Sequence, residues 1–405
     1  MPADNPSDAV IVAAVRTPIG TAHKGTLRET TAMELSQIII EGVTSRSGLD
    51  SHSIDDIVLA ESNYGGGDLA RNAAVATGMT HVPGQAVNRH CAGSLTAIGN
   101  AAAMVVSGAE RAVIAGGVQS SSTAPHLKFR TPGTVDEFIE PWMSPSHPAT
   151  DDAPNMDMSI TVGWNTAKEL GISREEMDTW ALRSHERALA AIDAGAFEEE
   201  IVPVPVRISE GTVSQFTTDE HPRRGSTAEK LASLRVIHPE IDSFSITAGN
   251  SSGINDGAAA VLVARREFAE SEDVEILATI RAWATSAVEP ARTGLAVIDV
   301  IPKVLERAGI SVDDVDLWEI NEAFASVSIA ACKKLGIDDS LVNTAGSGCS
   351  LGHPVAASGA RMIVTLIHQL RRRDGGYAVA AMCAGGGQAG AVVIHVPSAG
   401  SGQHD

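Results

Sequence analysis

The segment Ser-Gly-Leu-Asp-Ser-His-Ser-Ile-Asp-Asp-Ile-Val-Leu (47–59) returns in altered form as Ala-Gly-Ile-Ser-Val-Asp-Asp-Val-Asp-Leu (308–317). After each copy come a glycine-containing turn, an alanine-rich helix and a strand running into glycines. That strand ends in Ile114-Ala115-Gly116-Gly117 in the first half and Ala384-Gly385-Gly386-Gly387 in the second. With the Asp-Asp pairs aligned, position 91 falls opposite position 349. A cysteine-bearing helix start in one half then corresponds to a histidine-bearing loop in the other, so the sequence predicts a duplicated fold.

Working outward, short apolar runs read as buried strands: 9–15, 57–60, 111–115, 258–264, 379–382 and 390–396. Helical segments lie between them, at 32–45, 94–107, 174–191 and 357–371. Strands alternating with helices predict α/β architecture with buried, mostly parallel sheets. The stretch 122–248 breaks this rhythm with prolines 125, 132, 141, 145, 148 and 154, long polar connections and one amphipathic helix. It reads as an insertion folded over one half to shape a substrate site.

A chain of 405 residues exceeds the single-core limit of roughly 250–300 residues, so several packed units are expected. Residues 1–121, continued by 249–274, form the N-terminal half in this reading; 122–248 is the inserted loop domain and 275–398 the C-terminal half. The net charge of −20 argues against nucleic acid or an anionic membrane as partner. The four cysteines, at 91, 332, 349 and 383, have neither CxxC nor zinc-finger spacing, which argues against a metal site or disulfide framework and for a reducing cytoplasm. The acidic N-terminus followed by a short apolar run reads neither as a signal peptide nor as a membrane span.

Three segments carry the chemistry: Asn-Arg-His-Cys-Ala-Gly-Ser-Leu (88–95), Leu-Gly-His-Pro-Val-Ala-Ala-Ser-Gly-Ala-Arg (351–361) and Met-Cys-Ala-Gly-Gly-Gly (382–387). A thiolate nucleophile, an imidazole to deprotonate it and a second thiol as acid or base suit carbon–carbon chemistry on thioesters. Cys91 is placed near a helix N-terminus, where the dipole and free N–H groups lower a thiol's pKa, and Ala92 and Gly93 leave room for a ligand. Taken singly, Cys91 and Cys383 read equally as small core residues and His353 as a turn residue.

Order and surroundings resolve those alternatives. The chain resembles the thiolases over residues 8–397. The resemblance rests on Val-Arg-Thr-Pro-Ile-Gly (15–20), the Cys91 segment, Thr-Ala-Gly-Asn-Ser-Ser-Gly-Ile-Asn-Asp-Gly-Ala-Ala-Ala (247–260), Glu-Ile-Asn-Glu-Ala-Phe-Ala (319–325), and the His353 and Cys383 segments. It implies duplicated βαβαβαββ halves in a layered α-β-α-β-α core. By the same resemblance Cys91 would carry the acyl group, with His353 taking its proton. Cys383 would move the α-carbon proton, and Asn321 would hold a water that with His353 stabilises the enolate. The N–H groups of Cys91 and Gly385 would cradle the oxyanion. For Asn321 the residue pattern alone also allows a helix N-cap.

The patch His221-Pro222-Arg223-Arg224-Gly225, with Lys230 and Arg235, offers local positive charge in an acidic chain. By resemblance Arg223 contacts the adenine–phosphate end of coenzyme A and Ser252 the pantetheine. Coenzyme A and acyl-CoA are then substrates, with no tightly bound cofactor, and a homodimer or homotetramer is expected. Short-chain members carry Met where this chain has Val162 and Thr293, which implies a roomier acyl pocket. Ketoacyl synthases share the fold, but they place His or Asn where Cys383 stands. A non-catalytic lipid carrier or scaffold would be expected to lose Cys91, His353 or Cys383.

Overall fold

The computed structural model describes residues 4–62, 64, 68–140, 142–209 and 211–398. Nine strands build the core: β1 (Ala9–Arg16), β2 (Asp56–Ala60), β3 (Gly84–Val87), β4 (Ala112–Gln119), β5 (Asn255–Arg265), β6 (Ala278–Ala287), β7 (Leu317–Ile320), β8 (Gly376–Ala384) and β9 (Gln388–Val396). Their order is β7-β8-β9-β6-β1-β5-β4-β2-β3, and a two-residue strand, Gly20–Thr21, adds to the start of β5.

The duplication is visible in the pairing. In the first half β5 runs antiparallel between β1 and β4, and β4-β2-β3 are parallel. In the second half β9 runs antiparallel between β6 and β8, and β8-β7 are parallel. Val342, bridged in parallel to Trp318, stands where β3 stands in the first half. Within the sheet, the described residues of the two halves pair through Val10↔Thr279 and Ile11↔Ala278. The repeated segment has one local structure in both copies. A helix ends on a glycine in the left-handed region (Gly48 φ 74°, Gly309 φ 70°), where a side chain would be strained, and a short 3₁₀ turn then leads into β2 or β7.

The expectation of mostly parallel sheets is corrected, because antiparallel pairs bracket each long return strand. Both sheet faces are covered by helices, so the runs look uniformly apolar whichever way the strands point. In β5, Ala259, Val261 and Val263 face the central layer, while Ala258, Ala260, Leu262 and Ala264 face the outer one. The central layer is α2 (Gly93–Ser107) against α6 (Ser358–Arg371), the helix that follows each half's third strand position. Outside lie α1 (Ala32–Ser47) on one side, and α4 (Ala296–Ala308) with α5 (Ala325–Leu335) on the other.

The insertion holds more structure than one helix. Besides α3 (Arg174–Asp193), it has a π-helical turn at Ser159–Trp164, two short helices and two hairpins, each element too short to show a sequence period. A fully buried ionic cluster fastens it to the core. Arg16 Nε meets Glu200 Oε1 at 2.5 Å, its guanidinium meets both Asp219 oxygens at 2.8 and 2.9 Å, and Thr365 on α6 donates to Glu200 at 3.1 Å. Removing the cation alone would strand two buried carboxylates.

Candidate active site

Cys91 sits in a tight turn ahead of α2. His90 takes a left-handed conformation (φ 45°), held by its N–H donating to Asn88 Oδ1 at 2.8 Å, and Gly93 N–H donates back to His90 O at 3.0 Å. Gly93 is required by packing rather than by a ligand, since a Cβ there would lie 2.8 Å from Ala60 Cβ. Burial pushes the Cys91 thiol up to about 11, more than the nearby backbone N–H groups of Cys91 and Gly385 lower it, so the expected acidified thiol is corrected: in the resting site it is a protonated thiol.

His353 is buried on the loop before α6. Its N–H donates to Asn255 Oδ1 at 3.0 Å, and Gly352 (φ 104°) must be glycine because a Cβ would strike the Asn255 amide at 2.4 Å. Ser358 Oγ donates to Pro354 O at 3.0 Å and lies 2.6 Å from His353 Nδ1. A hydroxyl has one proton, so Nδ1 must donate to Ser358 and the lone pair belongs to Nε2. Asn321 Nδ2 stands 3.5 Å from that Nε2. Burial, then the nearby Arg361, lowers His353 to about 4, so the ring is a neutral base.

Asn321 caps no helix, because α5 begins at Ala325 after Phe324. Its buried Oδ1 has no partner among the described residues, an orphan acceptor of the kind a water satisfies. Cys383 lies one residue before the end of β8 with its side chain in the α4–α5 layer, and burial raises its thiol. The turn after it needs glycine at Gly386 and Gly387 (φ 81° and 77°), and Gly387 N–H donates to Thr293 Oγ1 at 2.9 Å.

The two halves converge at the starts of α2 and α6, where Ala360 N–H donates to Ser94 Oγ at 2.9 Å. Cys91, Cys383 and Gly385 form one cluster, and His353 with Asn321 forms another. Among the described residues no hydrogen bond joins Cys91 Sγ to His353. Asn255, Ser358 and Glu322 were missed by sequence reasoning. The serine lay within the quoted histidine segment, but nothing in its spacing announced a bond to the ring.

A groove of roughly 580 Å³ leads toward this site, lined by His23, Lys24, His221, Arg223, Gly253 and Ile254 among others. Ile254 is two-thirds exposed, and its backbone pairs with His353. Arg223 N–H donates to His185 Nδ1 at 3.2 Å. Arg224 instead pairs with Asp193, and Lys230 Nζ bonds Gly225 O, so the linear basic patch divides. Ser252 N–H donates to Ala323 O at 2.9 Å, beside the Asn321 segment. Among the described residues no group of His, Cys, Asp and Glu could hold a metal, and no helix is long and apolar enough to cross a membrane.

The buried imidazoles fix a pH dependence. His185, His221 and His353 are each lowered to about 4, by burial first and then by neighbouring positive charge. Below the ordinary value near 6.5 the unfolded chain takes up these protons before the native one does. The associated stability is therefore complete above that pH and is lost as pH falls toward 4. Each such proton contributes about 1.4 kcal/mol per pH unit in that window. Burial raises Glu319 to about 7, an opposing effect of one group. Urea unfolding from pH 7.5 down to 4.5 is expected to show midpoints that fall steadily below about 6.5. A flat profile would contradict the buried, neutral histidines.

Family patterns agree with this architecture. One described as "Thiolase, N-terminal domain" matches residues 9–267, and one described as "Thiolase, C-terminal domain" matches 274–396. An acetyl-CoA acetyltransferase of Escherichia coli is 39% identical, covering 96% of this chain and 98% of its own. A beta-ketoadipyl-CoA thiolase of Acinetobacter baylyi is 38% identical, covering 95% and 98%. The solved structure of human mitochondrial 3-ketoacyl-CoA thiolase in complex with CoA superposes with a TM-score of 0.88 at 33% identity, covering 96% and 98%. With both family patterns in sequence along a fold whose halves share one pattern of strand pairing, the chain belongs to the thiolase family.

Proposed function

We propose that the chain transfers an acyl group between coenzyme A thioesters through a covalent thioester on Cys91. The sequence is ping-pong and runs as 3-ketoacyl-CoA thiolysis or as condensation of two acyl-CoA molecules. The observation that carries this reading is the meeting of the two halves at one point, which brings the backbone N–H groups of Cys91 and Gly385 beside the Cys91 sulfur. As the thiolate attacks a thioester carbonyl, those N–H groups would stabilise the developing oxyanion, a contribution of about 3 kcal/mol each. His353 Nε2 takes and keeps the thiol proton, the departing CoA thiolate takes the proton of Cys383, and the acyl group stays on Cys91. The Cys383 thiolate so formed removes the α-proton of the second acyl-CoA, and the carbanion attacks the acyl-enzyme. Asn321 with the protonated His353 stabilises the enolate oxygen, and His353 returns its proton to Cys91 as the sulfur leaves.

Coenzyme A is read as occupying the groove at Arg223, with its pantetheine passing Ser252 toward His353. No acid of the described residues pairs with the Arg223 side chain, which leaves it available to a phosphate. No tightly bound cofactor is needed. A division into 1–121 with 249–274, 122–248 and 275–398, and assembly as a homodimer or homotetramer, belong to the same reading.

Acyl size follows from the residues this reading places at the acyl pocket. Val162 is buried in the π-helical turn, where the family's short-chain members carry Met. The freed volume lets each added substrate methylene gain roughly 0.8 kcal/mol, about fourfold. Across a chain-length series, 3-ketoacyl-CoA substrates longer than four carbons, or branched ones, are expected to show higher kcat/KM than acetoacetyl-CoA. Val162→Met should reverse that order. Thr293 is left intact because it holds Gly387. A wild-type preference for acetoacetyl-CoA throughout the series rejects the roomy pocket.

A further inference from the structure

Next to Asn321 lies a second buried polar side chain for which acyl transfer has no direct use. Glu322 is 1% exposed and has all its acceptor capacity engaged. Oε1 accepts from Trp180 Nε1–H and from Asn343 Nδ2–H, both at 2.9 Å. Oε2 accepts from Ser184 O–H at 2.6 Å and from Cys349 N–H at 3.1 Å. These donors come from distant places in the chain. Trp180 and Ser184 are on α3 of the insertion, whereas Asn343 and Cys349 flank the loop that runs on to His353.

The loop is pressed hard onto this motif. A Cβ on Gly348 would lie 2.6 Å from Glu322 O and 3.1 Å from Asn321 Oδ1. Ser350 Oγ also meets Ser184 Oγ at 2.7 Å, and Ser347 N–H reaches the same pair of hydroxyls. One residue beyond Ser184, His185 accepts the Arg223 N–H of the basic groove. Glu322 therefore grips the catalytic loop and the insertion helix together, with Ser184 bridging the two beside it.

We propose that Glu322 is the positioning residue of the site: its carboxylate fixes the 347–353 loop, and with it His353, relative to Asn321 and to the insertion helix. The proposal rests on the acyl-transfer reading. A carboxylate presents acceptors to all four donors, whereas an amide offers one oxygen and turns two N–H groups toward donors. Glu322→Gln must therefore push the loop or the helix away. A displacement of about 1 Å at a group that does chemistry can lower its rate about a hundredfold.

The test measures acylation of Cys91 by acetyl-CoA, by rapid quench and intact-protein mass, in wild type, Glu322→Gln, Glu322→Asp and Ser184→Ala. Thermal melts accompany each. Glu322→Gln is expected to melt cooperatively and acylate about a hundredfold more slowly, with KM for acetyl-CoA changed by less than about threefold. Glu322→Asp, which keeps both acceptor oxygens, should recover part of the rate, and Ser184→Ala should fall between wild type and Glu322→Gln. Acylation by Glu322→Gln at the wild-type rate overturns the proposal. So does a loss that only follows the folded fraction. Should Glu322→Gln fail to fold, Ser184→Ala decides: slower acylation at unchanged KM sustains the proposal, and an unchanged rate rejects it. A wild type that takes up no acyl group would instead bring down the acyl-transfer reading itself.

Discussion

Cys91→Ala takes up no acyl group from acetyl-CoA, and its turnover falls about a hundred-thousand-fold or more, the scale seen when a covalent nucleophile is removed. The expectation follows from what the variant keeps. The Cys91 and Gly385 N–H groups belong to the backbone and remain, as do His353 and the basic groove. Substrate can still bind and its carbonyl can still be polarised, but no atom at position 91 can form the thioester. Cys383 is reserved for the α-carbon in this reading, and the two remaining thiols offer no substitute. Cys349 lies fully buried against Glu322 O, and Cys332 is half-buried near the insertion helix, with burial pushing its thiol up to about 12. Intact-protein mass after incubation with acetyl-CoA checks this directly. An acetyl increment that persists on Cys91→Ala, or disappears equally on Cys349→Ala, removes Cys91 from its role.

The parts of the fold legible in the sequence were those governed by local patterns. Each apolar run became a strand within a few residues, because burial on both faces demands uninterrupted apolar character. The repeated 47–59 and 308–317 segments betrayed the duplication because a left-handed glycine, a 3₁₀ turn and a strand entry constrain neighbouring residues only. Strand direction was not legible, since Ala389–Val396 would bury equally well beside β8 either way. What decides is the three-glycine turn at 385–387, which returns the chain antiparallel.

For the site, residue identities and order were readable, but pairwise geometry was not. The tautomer of His353 depends on a serine five positions away, and the basic groove recruits His23 and Lys24 from some two hundred residues upstream of Arg223. The direction of the Cys91 shift was misread because a helix start argues for a lower pKa, whereas burial, invisible in sequence, argues more strongly for a higher one. Glu322 escaped notice because a glutamate beside Asn321 looks like a solvated helix start until its four donors are seen.

Cys383→Ser separates the two halves of the reaction. The variant is expected to accept an acyl group on Cys91, while condensation and exchange of the acetyl-CoA α-protons with deuterated water fall by about 10²–10⁴-fold, the usual share of a general acid–base group. Serine matches cysteine in shape, but its hydroxyl is a far weaker acid, so its conjugate base is not available to the α-carbon. Burial holds the Cys383 thiol protonated in the free enzyme, so the exchange reports on the step that ionises it. If Cys383→Ser exchanges α-protons as fast as wild type, the proton passes through another group.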